Sequence, residues 1–526
     1  MDITATIEKA AQHHQAGRLE QAEVLYKMVT QRHPDHSSAL HCLGIIACQR
    51  GRYNLAAEFV AKAITANRRI PQFHNTLGVA LAAVGKTEKA IGAYRRAISL
   101  KPDYAEAYAN MADTLQSQGH YSAAVENCKK AIQLQPGLIE AYYNLANILR
   151  KQGRHNEAIE NYQQVIRLRP DFAVAYGNMA LALKERGRNA EAIESYKQAI
   201  RLRPADAKLR HDLGVVLKDC RRYDEATENY KQAIRLDPDY AQAYNSLGVA
   251  MKECNRCAEA IENYEQAIRL KPDYADAHWN RSLALLLSAR LSEGWKEYQR
   301  RYDDLNTVNS PYYSKKTLWD GSSFTGKTLF VRYQQGLGDN IQFARYLSMA
   351  KERGGTVIYE TKKPLKDLLR PLDGIDELVD AACNGGPAAS FDLHISLMDL
   401  PRVFGTTIET IPSNVPYLYA DPAKAQLWRN RIVRKDLTVG IVWAGGAAHR
   451  NDHNRSCTLA DFAPLAEIEG IQLYGLQKGN GSEQADTSSD EIIAANLGAE
   501  FEDFTDTAAA IENMDLVVSV DTAVLH

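Results

Sequence analysis

Over roughly the first 305 residues, apolar positions recur with the spacing of helices laid in pairs, and the pairs recur every 34 residues. Three columns share this period: prolines at 34, 102, 136, 170, 204, 238 and 272, with Arg68 in the skipped place; glycines at 17, 51, 85, 119, 153 and 187; and alanines at 22, 56, 90, 124, 158, 192, 226 and 260. Proline cannot donate a mid-helix hydrogen bond, so it marks where one unit hands over to the next. Glycine, replaced by Arg221 and Asn255 in later copies, falls where the first helix of each pair must stop and turn. A column of small residues (Gly44, Gly78, Ala112, Ala146, Ala180, Gly214, Gly248, Ser282) predicts close helix approach. An aromatic column (Tyr26, Tyr94, Tyr162, Tyr196, Tyr230, Tyr264) predicts filling between units. The segment Ser292–Tyr302 keeps the register with Gly294 and Tyr298 and predicts a closing half-repeat.

A 34-residue unit of two helices, with A-x3-[FY] and a late proline, resembles the tetratricopeptide repeat (TPR). The resemblance implies an α-solenoid of about eight repeats over residues 1–305 and a concave groove for a peptide or protein partner. Within that groove Asn110, Asn144 and Asn178 hold one position in three successive units, continued by Asp212, Ser246 and Asn280. Such a ladder can meet the N–H and C=O groups of an extended peptide, and it resembles the inner asparagine ladder of eukaryotic O-GlcNAc transferase. The competing reading is that these amides bond neighbouring helices.

After Tyr302 the period ends. Residues 306–325 are polar and turn-rich and read as a linker. Short apolar runs then follow: Lys327–Tyr333, Thr356–Glu360, Leu437–Ala444, Ile471–Gly475 and Asp515–Val520 read as strands, alternating with helical stretches at Ile341–Gly355, Leu459–Ile468 and Thr507–Asn513. Strand, glycine loop, helix, strand is the unit of a parallel α/β sheet. Two halves are expected, 326–425 and 436–526.

Four motifs in order, QQGLGDNIQFARYL, FGTTIETIPSNVPYL, VGIVWAGGAAHRNDHNRS and DTAAAIENMDLVVSVDTAVLH, resemble bacterial proteins in which TPR repeats are fused to a two-Rossmann glycosyltransferase domain (GT-B). That group is related to the heptosyltransferases and more distantly to O-GlcNAc transferase. The resemblance implies a transferase moving a sugar from a nucleotide-diphospho-sugar to an acceptor recruited by the repeats, without a metal or other cofactor. It assigns Asp339 as the base that activates the acceptor hydroxyl; the alternative for Asp339 is a helix cap. Arg332, Gln334 and Gly338 share its loop and are candidate donor-binding residues. Arg455, with His449 and Arg450 behind it, is the candidate cation for a diphosphate leaving group. Asp521, Thr522 and His526 are the candidate donor residues, at a strand end where a helix is expected to begin. The chain stops at His526, where the family pattern continues, so the second half is expected to be incomplete. The alternative function is a non-catalytic TPR scaffold with a vestigial transferase-like domain.

Composition narrows this little further. Apolar residues make up 45%, charged residues 24%, and the net charge of −2 argues against nucleic acid or an anionic membrane as the main partner. No run has the length of a membrane span, and the first residues lack a secretory pattern, so a cytoplasmic protein is the expectation. Of eight scattered cysteines only Cys254 and Cys257 form a CxxC, without a second pair at zinc-ligand spacing; no metal site is expected.

Overall fold

The computed structural model describes residues 2–302, 317–334, 336–381, 389–446, 452–487 and 492–526. The chain divides into two compact units, Met1–Cys254 and Asn255–His526.

The first unit consists of helical hairpins whose members alternate in length, as in Ala105–Ser117 (13 residues) and Tyr121–Leu134 (14 residues). The glycine column is a backbone requirement. Gly17, Gly51, Gly85, Gly119, Gly153 and Gly187 all sit at φ between 69° and 80°, the left-handed region that a Cβ disfavours. Arg221 adopts the same turn at φ 59° without that freedom, as does Asn255 at the start of the second unit. The alanine column is fully buried at every copy from Ala22 to Ala260. The tyrosines fill the small column of their own hairpin: a Cβ on Gly78 would lie 2.4 Å from the Tyr94 ring, and one on Gly214 would lie 2.6 Å from Tyr230.

The second unit begins with the helices Cys257–Leu270, Ala275–Leu287 and Leu291–Tyr298, the last followed by a 3-10 turn, Gln299–Tyr302. Trp295 packs edge-on against Phe343 at 5.7 Å, joining the last repeat helix to the α/β layers. Those layers hold two parallel sheets. One has the order β3-β2-β1-β4, with β1 Thr328–Arg332, β2 Thr356–Thr361, β3 Glu377–Asp380 and β4 Leu393–Ser396. The other has the order β6-β5-β7, with β5 Leu437–Val442, β6 Ile471–Gly475 and β7 Leu516–Ser519. The interiors of β1, β2 and β5 are buried, as parallel strands covered on both faces must be.

The structure departs from the sequence pattern in two places. Strands β3 and β4 are not visible in the sequence pattern, because β3 begins and ends on an acid (Glu377, Asp380) and β4 carries His394 in its apolar run. The helix expected over Ile341–Gly355 is broken at Arg345 and Tyr346 into Leu337–Ala344 and Leu347–Lys351. Ala523–Leu525, where a helix is expected to begin, form a 3-10 turn.

Candidate functional site

In each sheet the strand order turns back at the first strand, β1 or β5, and the crevice outside the carboxyl ends of such strands is where parallel sheets bind ligands. In the first sheet, Arg332 ends β1 in register with Ser396, which ends β4. The Ser396 hydroxyl donates to the side-chain carbonyl of Gln334. Asp339 stands in the first turn of Leu337–Ala344, and its carboxylate accepts the Gly336 N–H at 2.9 Å. The helix-cap role is therefore present, and the half-buried carboxylate has further acceptor capacity.

The residue that holds this loop was not singled out from the sequence. Asn340 is fully buried; its Nδ2 donates to the carbonyls of Gln334 (2.7 Å) and Gly336 (2.6 Å), and its Oδ1 accepts from the Tyr359 hydroxyl at 2.9 Å. One amide thus ties the turn after β1 to the neighbouring strand β2.

The second sheet contributes three loops. Arg455 ends the short helix Asp452–Arg455, with its Nε 2.9 Å from the Asp521 carboxylate and its guanidinium donating to the Asp521 carbonyl. The Thr522 hydroxyl lies 3.0 Å from that of Ser519. His449 and Arg450 lie outside the described residues. Gln477, after β6, is buried: it accepts the N–H groups of Trp443 and Ala444 and donates to the carbonyls of Ala444 and Asn480. Asn480 donates to the Gly445 carbonyl at 2.9 Å. These bonds fuse the loops that follow β5 and β6 into one rigid rim.

A cavity of about 420 Å³ opens at this rim. Gly445 and Gly446 line it after β5, Lys478 and Asn480 after β6, Thr522 after β7, and Phe501, Glu502 and Phe504 beside them; Leu337 and Pro364 close it from the first lobe. The Lys478 ammonium rests on the carbonyls of Phe501 and Glu502. Of the sequence-derived candidates, Thr522 borders the cavity itself. Gly338 adjoins Ala523 and His526, which places the Asp339 turn next to the end of β7. Arg455 and Asp521 form their own pair at the same strand end, while Arg332 and Gln334 cluster with Ser396 at the first sheet. Lys478 and Asn480 were missed; their signal is the run QKGNG, whose two glycines, at φ 77° and 82°, shape the loop.

In the first unit, the ladder amides reach back one hairpin. Asn110 donates to the Asn75 side chain (3.1 Å), Asn144 to the Ala109 carbonyl (3.3 Å), and Asn178 to the Tyr143 hydroxyl (3.0 Å) and the Asn147 side chain (3.2 Å). Asn280 lies in the second unit, on Ala275–Leu287.

Family models match these hairpins. A model described as tetratricopeptide repeat matches residues 103–171 and 137–205, and one described as TPR repeat matches 78–119, 217–254 and 252–287. The chain carries tetratricopeptide repeats. Protein FlbA of Caulobacter vibrioides is 23% identical over 254 residues, covering 44% of this chain, and the chain spans 43% of FlbA's length. Among solved structures, the TPR protein YrrB, described as having an unusual peptide-binding site, is 23% identical over 38% of this chain and all of its own (TM-score 0.33). MamA is 25% identical over 31% of this chain and 96% of its own (TM-score 0.30). Among the described residues, no helix is long and apolar enough to cross a membrane, and no group of three or more His, Cys, Asp or Glu side chains is placed to hold a metal ion.

Proposed function

We propose that the α/β part of the second unit is a glycosyltransferase that takes a nucleotide-diphospho-sugar and passes the sugar to a protein held by the TPR repeats. The observation that carries this reading is the cavity at the carboxyl ends of β5, β6 and β7, with a hydroxyl (Thr522) and an ammonium (Lys478) on its wall and the Asp339 turn beside its β7 edge. In this reading Asp339 accepts the proton of the attacking hydroxyl, a bond forms from that oxygen to the anomeric carbon, and the bond from that carbon to the diphosphate oxygen breaks. Arg455, Lys478 and Thr522 receive the departing diphosphate. Asp521 pairs with Arg455 and gives way to the diphosphate, and Gly338 and His526 frame the donor. Arg332 and Gln334, grouped with Ser396 at the end of the first sheet, stand on the Asp339 side of the scheme. No cofactor beyond the donor enters the scheme.

Calorimetry of the full chain against UDP, GDP, ADP and CDP tests it. Saturable binding of one of them, lost on substitution of Thr522 or Lys478, supports the reading. Absence of binding to all four leaves the second reading, a TPR scaffold whose α/β part is non-catalytic; the occupation of Arg455 by Asp521 favours that alternative.

A further inference from the structure

Neighbouring hairpins of the first unit are stitched by a rung between one position of a hairpin and the residue 35 places on. His41 meets Thr76 (2.9 Å), Asn75 meets Asn110 (3.1 Å), the Ala109 carbonyl meets Asn144 (3.3 Å), Tyr143 meets Asn178 (3.0 Å) and His211 meets Ser246 (3.0 Å). Between Gly177 and Asp212 the rung is missing, because Gly177 has no side chain. At that place a cavity of about 440 Å³ opens, lined by Gly177, Leu181, Tyr196, Leu209 and Asp212.

Two polar groups are left over there. In the preceding hairpin the Tyr162 hydroxyl donates to Asn147 at 2.6 Å; the equivalent pair is Tyr196 and Leu181, so among the described residues the Tyr196 hydroxyl has no partner. Asp212 touches His211 Nδ1 at 3.3 Å and, among the described residues, no other polar group. At two rung positions an aromatic ring rests on the tyrosine of its own hairpin, Tyr143 on Tyr162 at 6.3 Å and His211 on Tyr230 at 5.6 Å. Tyr196 has a vacant place of the same kind.

The geometry points to a socket for a tyrosine side chain of the partner peptide, its ring against Tyr196 and Leu209 and its hydroxyl donating to Asp212, in the place Tyr143 fills one repeat earlier. Lys184, Arg203 and Lys208 outnumber Asp206 and Asp212 on the cavity wall and disfavour a lysine or arginine there. The inference rests on the repeats as a peptide-binding surface and is independent of any transfer chemistry.

The test is methyl NMR of the full chain titrated with the pentapeptide acetyl-Gly-Gly-Tyr-Gly-Gly-amide and its Phe, Lys and Ala counterparts. The tyrosine peptide should give saturable shifts at the Leu181 and Leu209 methyls. The phenylalanine peptide should bind about fivefold more weakly, the loss of one hydrogen bond, and the lysine and alanine peptides should leave those methyls unmoved. Gly177→Tyr, whose Cβ would meet only the end of the Leu209 side chain at 3.0 Å, should rebuild the rung, melt no lower than the parent and abolish the shifts. Asp212→Leu, which keeps the cavity, should erase the preference for tyrosine over phenylalanine. Equal response to the alanine or lysine peptide, or binding that survives Gly177→Tyr, overturns the socket. Shifts elsewhere in the array with Leu209 silent overturn the socket but leave the peptide-binding surface standing.

Discussion

Gly338 lies so close to His526 that a Cβ built on the glycine would stand 2.7 Å from the imidazole Cδ2 and 3.2 Å from the Ala523 Cα. This contact brings the turn that carries Asp339 to the strand end that carries Asp521 and Thr522, and it tolerates no side chain at position 338 without movement of one wall.

Gly338→Ala should therefore spread the two walls while leaving the sheets intact. Stability should change by less than about 1 kcal/mol, since the nearest clash is with the end of the His526 side chain. Affinity for the nucleoside diphosphate that binds the parent should fall about tenfold. Calorimetry and thermal melting of the same samples check both; unchanged affinity would detach Gly338 from the site.

Arg455 and Asp521 pair at 2.9 Å, so the guanidinium already faces a carboxylate. Removing the carboxylate with Asp521→Asn should tighten diphosphate binding, and Arg455→Ala should weaken it by about tenfold or more, the scale of a charge-assisted hydrogen bond. Titration with inorganic pyrophosphate is enough to see the opposite signs. If both variants weaken binding alike, Asp521 touches the ligand instead of competing with it.

Burial pushes the His41 imidazole down to about 4, a bond with Gln72 opposing only in part. The unfolded chain takes up a proton near the ordinary value of 6.5, and the folded chain does so only near 4. Between those values the unfolded state binds more protons, so stability falls as pH drops, by at most about 1.4 kcal/mol per unit, and levels off below. His41→Asn should flatten that part of the profile in denaturant titrations across the window. An unaltered slope would show that other groups carry it.

Arg221 holds the left-handed turn at φ 59° that glycine takes in the six preceding hairpins. Arg221→Gly should stabilise the chain by about 0.5–1 kcal/mol, the relief of Cβ strain less the added freedom of the unfolded glycine. Urea denaturation of the two proteins side by side checks this, and a loss of stability would mean that the Arg221 side chain contributes more than its backbone costs.

The hairpins were legible in the sequence because their constraints are local and repeated. A turn that needs positive φ requires glycine at Gly17 and Gly153 alike, and a buried alanine recurs wherever the same two helices meet. The longer buried strands, β1, β2, β5 and β6, could be read for the same reason, as unbroken apolar runs. The strand Glu377–Asp380, two apolar residues between two acids, carries too little pattern to be seen and exists because β2 offers its backbone. The candidate site was half legible. Its glycine loops and Asp339 stand in motifs, but Lys478 and Asn340 matter through contacts made 23 and 19 residues away. The empty rung at Gly177 is a single letter in the sequence, and only the stacked helices show it as a cavity. Local backbone geometry and burial thus settled what each segment becomes, while packing between distant segments decided which side chains meet, because that depends on distances no single segment contains.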